Sequence, residues 1–307
     1  MINKIINAYR RFSSISERLI RVQEALGRIE QRQTTALPIE ESEFRVFSQW
    51  GEDGIIQQLV RRVPINRRIF VEFGVENYIE ANTRFLITND QWSGLVMDGN
   101  LENIEYIKRD PIYWAANLKA DCQFIDISNI NQLLISNGIS GDIGLLSIDI
   151  DGNDYWVWKS IEAVTPRIVI CEYSSQFGPI AEVTTPYNPS FIRSKAHNSQ
   201  VYYGASITAL TALAASKGYS LVAGNRAGNN IFFVRNDLLG DLRIITPNQA
   251  YRRSQFREAR DENGKLTFED FGARLSKIGD LPLHDLSTGR IAKVRDLIKP
   301  NDGTDTQ

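Results

Sequence analysis

Short apolar runs that end in acids recur along the chain. The run at 69–77 joins a β-branched and aromatic stretch to Glu72, Gly74 and further polar residues, and the run at 94–99 again ends in an acid, Asp98. Such runs are typical of buried parallel strands, whose carboxyl ends meet at one edge of a sheet. They predict an open α/β sheet with a ligand site at that edge.

Later segments continue this alternation of strands and helices. A third strand is predicted within 114–124, a fourth within 145–154 and a fifth at 167–173. The β-rich runs 219–223 and 230–234 follow a helix and have the spacing of a hairpin. The pattern therefore predicts a mostly parallel sheet with helices on both faces and an antiparallel last strand.

Glu72, Gly74 and Asp98 have two interpretations. An acid after the second strand is placed to accept hydrogen bonds from ribose hydroxyls. Gly74 lacks the further glycines that let a backbone approach a pyrophosphate, so S-adenosylmethionine fits better than a dinucleotide. The other interpretation is that these residues only end strands and form turns.

The start of the chain has a heptad pattern. Apolar residues alternate spacings of three and four over about four heptads, with charged residues between them and no proline. Residues 1–35 are therefore predicted to form a coiled-coil helix through which the chain forms a homo-oligomer or binds a partner helix. The alternative is a helix that packs on its own domain. The apolar positions are Ile5, Ala8, Phe12, Ile15, Leu19, Val22, Leu26 and Ile29.

Polar residues near two predicted helix starts have open roles. Gln49 and Glu52 precede an apolar helical pattern at 55–60, so they either cap that helix or reach into a site beside the first strand. Asn82 lies in the segment 80–86, which resembles another helix start, with amides that can meet a carboxylate. The sequence leaves these alternatives open.

Acids cluster at the ends of the fourth and fifth strands. Asp149, Asp151 and Asp154 lie within six residues, and Glu172 ends the next strand. Such carboxylates repel one another unless a cation or a group of hydrogen-bond donors offsets them. Hard oxygen ligands suit Mg²⁺, Mn²⁺ or Ca²⁺ rather than zinc. We expect a divalent cation at Asp149, Asp151 and Glu172, with substrate hydrogen bonding and helix capping as the alternative.

Two more polar residues follow predicted strands. Asp126, after the third strand, either receives an adenine amino group or caps the next helix. His197 lies in a long loop at 174–203, and loops of this length in compact domains are usually functional lids or disordered. His197 is therefore either a general base for a substrate hydroxyl or an ordinary loop histidine.

Composition narrows the function classes. The chain has 307 residues, and 35 basic residues nearly balance 37 acidic ones, for a net charge of −2. A nucleic-acid-binding protein needs a basic face, so that class is disfavoured. An arginine cluster at 252–260 could instead serve an anionic sugar. The sequence has no apolar run near the roughly 18 residues that a membrane span needs.

Cysteine usage and polarity complete the domain prediction. Cys122 and Cys171 lie in apolar runs and are expected as core residues in a reducing compartment, so the protein is predicted to be cytoplasmic.

After the N-terminal helix, residues 36–240 are expected to form the main domain. Residues 241–307 would then form a polar C-terminal extension with a disordered tail from Asn301.

Several motifs together resemble a known family. Their order and spacing over about residues 47–235 are more specific than any single motif. By these motifs the chain resembles the FkbM-like class I methyltransferases, in particular the branch found among bacterial surface-glycan genes. The motifs lie at 48–54, 71–75, 95–99, 146–156, 169–173, 202–206 and 228–234.

The resemblance implies a Rossmann-like methyltransferase fold that uses S-adenosylmethionine. Carried over by position, Glu72 and Gly74 would hold the methionine end and Asp98 the ribose. Asp126 would lie near the adenine, and Asp149 beside the transferred methyl. The full set of expected cofactor-binding residues is Gln49, Glu52, Glu72, Gly74, Asn82, Asp98, Asp126 and Asp149.

The activity that the resemblance implies is O-methylation of a sugar hydroxyl on a polysaccharide, glycolipid or sugar-nucleotide precursor. Relatives that act on sugar hydroxyls include metal-dependent enzymes, which fits the clustered acids; His197 or one of those acids would take the proton. Glu76 and Asn77 depart from the small residues common in the family's first turn. Two alternatives remain: a metal-dependent glycosyltransferase that uses Asp149 and Asp151 as an Asp-x-Asp motif, and a non-catalytic coiled-coil scaffold.

Overall fold

The computed structural model describes residues 2–299, and in the first helix it describes the side chain of Ile15 and those from residue 17 onward. Within this part, no helix is both long and apolar enough to cross a bilayer. Outside it lie the side chains of the predicted heptad positions Ile5, Ala8 and Phe12, and the predicted tail from Asn301.

Ten strands form two sheets within residues 2–299. In chain order they are β1 (Ile69–Phe73), β2 (Ser93–Asp98), β3 (Leu118–Cys122), β4 (Gly141–Ile148), β5 (Val164–Glu172), β6 (Val183–Thr184), β7 (Tyr219–Gly224), β8 (Asn230–Arg235), β9 (Pro282–Asp285) and β10 (Arg290–Lys293). The large sheet has the order β3-β2-β1-β4-β5-β8-β7, and its strands run parallel except β8, which pairs antiparallel with both β5 and β7. This topology confirms the predicted Rossmann-like methyltransferase fold, with the antiparallel last strand inserted between β5 and β7.

Helices cover both faces of the large sheet. Alternate residues of a strand point to opposite faces, so Val71 and Phe73 enter one buried apolar cluster with Leu210, whereas Phe70 enters another with Leu59. Apolar side chains therefore shield both faces of the sheet from water, which accounts for the continuous apolar runs in the sequence. In chain order the helices are α1 (Ile2–Gln33), α2 (Glu52–Arg62), α3 (Arg84–Asn89), α4 (Leu101–Arg109), α5 (Pro111–Ala115), α6 (Ile130–Ser136), α7 (Asp154–Ser160), α8 (Arg193–Ala196), α9 (Ile207–Ser216), α10 (Pro247–Ala250), α11 (Phe271–Lys277) and α12 (Val294–Leu297).

The small sheet joins the long loop to the C-terminal segment. β6 pairs antiparallel with β9, which pairs antiparallel with β10. Phe177 and Val201 of the loop pack in one buried cluster with Leu275 and Leu283. The loop at 174–203 is therefore partly regular, containing β6 and α8, and the chain after residue 240 packs against it. The domain boundaries near residues 36 and 241 stay a prediction.

Gly74 lies where the turn after β1 passes closest to the turn after β4. Its φ is +69°, and a Cβ on it would lie 1.6 Å from the backbone oxygen of Asp149. Its N–H donates to the Met97 carbonyl at 2.9 Å, which holds the turn against β2. A side chain is excluded here both by the left-handed backbone and by the neighbouring carbonyl. The packing of the sheet therefore requires Gly74 whether or not a ligand binds.

We expect Gly74→Ala to destabilise the protein more than Gly141→Ala does. Gly141 has nearly the same φ, +68°, but open space where a Cβ would lie. The Gly141 variant should therefore lose only the roughly 1–2 kcal/mol of a left-handed backbone, whereas the Gly74 variant adds a clash that costs about 1–3 kcal/mol more. Urea denaturation measures both losses. Equal losses would mean that the turn containing Asp149 moves aside without cost.

Candidate functional site

A cleft of about 420 Å³ lies at the predicted ligand edge, where the carboxyl ends of β1–β5 meet. Because β8 runs antiparallel, its amino end reaches the same edge, and Asn229 and Asn230 line the cleft there. Clefts of this size hold small-molecule ligands and cofactors. The lining residues at the other strand ends include Glu72, Gly74, Glu76, Met97, Asp98, Gln123, Phe124, Ile125, Asp149, Asp151 and Glu172.

Glu72, in β1, holds the entry to α3. Its carboxylate accepts hydrogen bonds from the N–H groups of Asn82 at 2.8 Å and Thr83 at 3.1 Å, and from the Thr83 hydroxyl. Burial raises the pKa of Glu72 to about 7. The backbone amides at the predicted helix start thus donate to a carboxylate, as expected. This carboxylate is the side chain of Glu72 and not that of a ligand. Glu72 and Asn82 line the cleft, so a ligand there would contact a surface that these bonds hold in place.

Asp98, at the end of β2, lines the cleft and organises two turns. Its Oδ2 accepts from the Glu76 N–H at 2.8 Å, and its Oδ1 accepts from the Asn100 N–H at 2.7 Å and the Asn103 side-chain amide at 3.1 Å. A carboxylate has about four acceptor positions. One position, on Oδ2, is therefore left for a ligand, which suffices for one ribose hydroxyl.

Asp126 does not line the cleft as the described residues define it. Its Oδ1 accepts from the N–H groups of Ser128 at 2.6 Å and Asn129 at 3.1 Å, which ties the carboxylate to the turn before α6. These bonds close the turn before α6, whose N-cap residue is Asn129, and the expected adenine contact lacks support among the described residues. Gln123 and Phe124 line the cleft instead. They directly follow β3, and the sequence pattern did not single them out within the segment 114–124.

Glu52 is buried and does not line the cleft among the described residues. Its Oε2 accepts from the Trp50 N–H at 2.9 Å, and its Oε1 accepts from the side-chain amides of Asn225 at 2.7 Å and Asn230 at 2.9 Å. These bonds tie the start of α2 to the β7–β8 hairpin, and the expected cofactor contact of Glu52 lacks support among the described residues. Gln49 is exposed and lines the cleft, where the sequence analysis expects it.

Three carboxylates meet at the ends of β4 and β5. One oxygen each of Asp149, Asp151 and Glu172 lies within 4.8 Å of the other two. Asp154 is not part of this cluster, because its oxygens accept from two backbone N–H groups of its own turn at 2.8 and 2.9 Å. Glu172 is only 7% exposed, and its Oε2 has no hydrogen-bond partner among the described residues. The predicted metal ligands therefore lie together, with one buried oxygen unsatisfied.

The carboxylate cluster is electrostatically unfavourable on its own. Burial raises the pKa values of Asp149 and Glu172 well above their ordinary range, and repulsion from neighbouring carboxylates raises them further. The positive charge of Arg193 acts in the opposite direction and lowers both pKa values.

Arg193, in α8, supplies a cation that the sequence analysis does not identify. Its guanidinium donates to Asp151 at 2.9 Å, pairs with Glu258 at 2.7 Å, and lies 3.8 Å from the ring centroid of Tyr203. Arg193 and Glu258 both line the cleft, although they come from the long loop and the C-terminal segment. No local motif marks Arg193, because its partners are distant along the chain.

His197 is not brought to the carboxylate cluster. Its Nδ1 shares a hydrogen bond of 2.7 Å with the Ser199 hydroxyl, and it is not among the described residues that line the cleft. Partial burial, and to a smaller extent the positive charge of Lys277, lowers the pKa of His197. The general-base role thus has no geometric support, and the alternative of an ordinary loop histidine describes its surroundings.

Aromatic side chains from three distant segments also line the cleft. Trp50 and Phe256 stack with ring centroids 5.5 Å apart and an interplanar angle of 17°. Phe191 lies over Gly152, where a Cβ would come within 2.3 Å of the ring. Trp50 remains 40% exposed, so it offers an apolar face to a ligand.

The cleft is strongly acidic. Among the described residues that line it, eight are acidic and one, Arg193, is basic. The arginines considered for an anionic sugar are not among them: Arg252, Arg257 and Arg260 donate to backbone carbonyls of nearby residues. The field in the cleft therefore favours cationic or neutral ligands over anionic ones.

No family model and no curated protein matches the chain. Among solved structures, it is similar to the N-terminal domain of EvdMO1 with SAH bound (13% identity, TM-score 0.39, covering 70% of this chain and 97% of that one). It is also similar to the O-methyltransferase from Bacillus cereus in complex with SAH (12% identity, TM-score 0.39, covering 60% of this chain and 80% of that one). A third similar structure is TrmK of M. capricolum with S-adenosyl-homocysteine (9% identity, TM-score 0.35, covering 59% of this chain and 67% of that one). The fold assignment rests on the sheet order itself.

We expect Glu172→Gln to stabilise the protein at pH 8. The substitution removes one of two neighbouring carboxyl groups, Glu172 buried and Asp149 half-buried, that repel each other when ionised, a gain of roughly 1–2 kcal/mol, or about one unit of pKa. Folding raises both pKa values, so the penalty is absent below the ordinary value of 4.5 for Glu172 and grows as the pH rises. Urea denaturation should therefore show a larger gain at pH 8 than at pH 5.

The control for this measurement is Glu102→Gln, a change at an exposed residue of α4. It should alter stability little, and equally at both pH values. A Glu172→Gln variant that is less stable than the wild type at pH 8 would show that the carboxylate is stabilised, rather than repelled, by its surroundings.

Proposed function

We propose that the protein is an S-adenosylmethionine-dependent O-methyltransferase that acts on a hydroxyl of a neutral, sugar-containing acceptor. The observation that carries the proposal is the acidic cleft at the ligand edge of this sheet, with Asp149, Asp151 and Glu172 in its lining. A sulfonium carries a positive charge, so an acidic cleft favours it. The glycan class of acceptor comes from the FkbM-like sequence resemblance and is supported by the aromatic and amide side chains of the cleft.

The residues at the ends of β1–β3 fit the cofactor. S-adenosylmethionine supplies, when bound, an electrophilic methyl group on its sulfonium. Asp98 keeps one acceptor position for a ribose hydroxyl, and Phe124, which is 49% exposed, offers an apolar face for an adenine. The Asn82 side chain is held towards the cleft by its hydrogen bond to the Ser147 hydroxyl at 3.1 Å. Gln49 lines the same space.

The carboxylate cluster fits a divalent cation. Asp149, Asp151 and Glu172 would hold it, and the Oε2 of Glu172 is a buried ligand atom that folding leaves without a partner among the described residues. Mg²⁺ and Mn²⁺ take six oxygen ligands, so these side chains leave positions for acceptor hydroxyls. The cation would lower the pKa of a hydroxyl bound to it.

The protein's own part in the reaction is placement of the acceptor and removal of its proton. Asp149 and Glu172 are the pair placed to act as a base, because both line the cleft at the carboxylate cluster. We assign it to take the hydroxyl proton while the cleft holds the oxygen in line with the methyl group. This assignment replaces the role expected for His197.

The acceptor side of the cleft suits a neutral sugar. Trp50, Phe191 and Phe256 offer apolar faces on which the C–H groups of a sugar ring can pack, and the buried Oδ1 of Asn230 has no partner among the described residues. The excess of acids disfavours a phosphate-bearing acceptor, so a polysaccharide or glycolipid sugar fits better than a sugar nucleotide. For the same reason the glycosyltransferase alternative is disfavoured, since its donor is an anionic diphosphate.

A reducing compartment remains part of the proposal. Cys122 and Cys171 are both free thiols, and Cys171 is buried. Free thiols persist where the cell keeps cysteines reduced, which supports the expected cytoplasmic location.

Calorimetric titration tests the cofactor. We expect micromolar binding of S-adenosylhomocysteine and tighter binding of S-adenosylmethionine, because only the latter carries the sulfonium charge, and the difference should shrink at high salt. Asp98→Asn should weaken both about tenfold, or about 1.4 kcal/mol, whereas the control Asp126→Asn should leave both affinities unchanged. Binding of a nucleotide sugar in preference to either ligand would instead support a glycosyltransferase.

Transfer of a labelled methyl group to a panel of neutral oligosaccharides, with Mn²⁺ or a chelator, tests the reaction. Asp149→Asn should abolish transfer, because it removes the base and a metal ligand. Phe256→Ala should raise the KM for the acceptor at least about tenfold, since it removes the surface on which Trp50 stacks, and it should leave the affinity for S-adenosylhomocysteine unchanged.

The matched control is Phe268→Ala. Phe268 is 57% exposed, lies in the same C-terminal segment and is not among the described residues that line the cleft. It should keep the wild-type KM. Cofactor binding without transfer to any acceptor would favour the non-catalytic scaffold, and equal effects of the two phenylalanine variants would remove Phe256 from the acceptor site.

A further inference from the structure

One face of α1 lies against the body of the protein. Gly27 is buried there, and a Cβ on it would lie 2.4 Å from the Val46 side chain and 3.1 Å from that of Phe85. Gln23 donates to the Val46 carbonyl, and Gln31 donates to a glutamine of α2. These contacts fix which side of α1 faces the domain and which side faces solvent.

The opposite side of α1 exposes an apolar stripe, the seam, formed by Ile15, Leu19, Val22, Leu26 and Ile29. Each of these side chains is between 50% and 63% exposed. Their spacings alternate four and three, so Leu19 and Leu26 occupy a positions of a heptad and the other three occupy d positions. The chain's own domain therefore leaves the seam uncovered, while the face of α1 that contains Gly27 packs on that domain.

The residues beside the seam indicate what covers it. The g positions are Arg18, Ala25 and Arg32, and the e positions are Gln23 and Glu30. An apolar stripe limited to a and d positions is the narrow contact surface of a coiled coil, whereas a helix that lies on a lipid surface has a large apolar face. We propose that the seam binds the same seam of further copies of this chain, in a parallel bundle of three or four helices.

Charge favours the parallel orientation. In a parallel coiled coil a g residue faces the e residue five positions on in its neighbour, which places Arg18 opposite Gln23 and Ala25 opposite Glu30. In an antiparallel pair the g rows face each other, so the arginines at positions 18 and 32 would face a row of their own charge. The parallel arrangement avoids this repulsion and brings the main domains of all copies to the same end of the bundle.

The identity of the seam residues favours more than two copies. Two-stranded parallel coiled coils prefer β-branched residues at a and leucine at d, whereas leucine at a with isoleucine at d favours larger bundles. In the seam both a residues are leucine and all three d residues are β-branched. The seam thus has the pattern of a trimer or tetramer.

Sedimentation equilibrium of the full chain tests the proposal. We expect three or four times the chain mass of 34.8 kDa. Leu19→Glu combined with Leu26→Glu should give monomers, because it places charges in the seam. The matched control, Arg21→Glu with Arg28→Glu, changes exposed residues outside the seam and should keep the wild-type mass. A variant that combines Leu19→Ile, Leu26→Ile, Ile15→Leu, Val22→Leu and Ile29→Leu exchanges the a and d residue types and should shift the mass towards a dimer.

A wild-type monomer or dimer, or an oligomer that survives the two glutamates, would overturn the proposal. If the wild type is monomeric and floats with vesicles that contain anionic phospholipid, while the Leu19/Leu26 variant does not, a membrane surface occupies the seam instead. Oxidation of an Ile15→Cys variant tests the orientation, because equivalent d residues meet only in a parallel bundle. An oligomer without this cross-link would contradict the parallel arrangement.

Discussion

Backbone N–H donors decide which acids at the sheet edge are free to bind a ligand. Four buried acids each accept at least two backbone N–H groups and thereby hold the loops around the cleft: Asp53, Glu72, Asp98 and Asp154. A buried carboxylate without such donors is unfavourable, so these bonds and the loop paths depend on each other. Among the described bonds, Asp149, Asp151 and Glu172 accept none from the backbone. Their negative charge is what the cleft offers to a ligand.

The repulsion within this group is offset from outside the large sheet. Arg193 and Glu258 belong to the loop and the C-terminal segment that build the small sheet, and their ion pair reaches Asp151. The position of the cleft's described cation therefore depends on the packing of Phe177 and Leu283 in the small sheet's core. The C-terminal segment, which the sequence predicts as a separate extension, thus contributes a residue to the cleft.

Stability and the proposed chemistry make opposite demands on these carboxylates. Burial and repulsion raise the pKa values of Asp149 and Glu172, which lowers stability at neutral pH but gives a base and a set of hard oxygen ligands. Proteins commonly retain such unfavourable groups where function needs them. The rest of the fold compensates with two dry cores on the faces of the large sheet. The exposed seam of α1 is a second place where the structure leaves apolar side chains uncovered.

The sequence by itself determined the seven strands of the large sheet, their order of appearance and the acids at their ends, because apolar periodicity and strand-terminal residues are local signals; it did not indicate the three strands of the small sheet. It also determined the heptad positions of α1 and the acids of the carboxylate cluster, since the ends of neighbouring parallel strands must meet. Tertiary structure alone decided which of the other polar residues face the cleft. Glu52 is satisfied by Asn230, 178 residues away, and Asp126 by its own turn, while Arg193 reaches Asp151 from a distant loop. Whether a carboxylate is free depends on donors that other segments bring to it, and no local pattern records those donors.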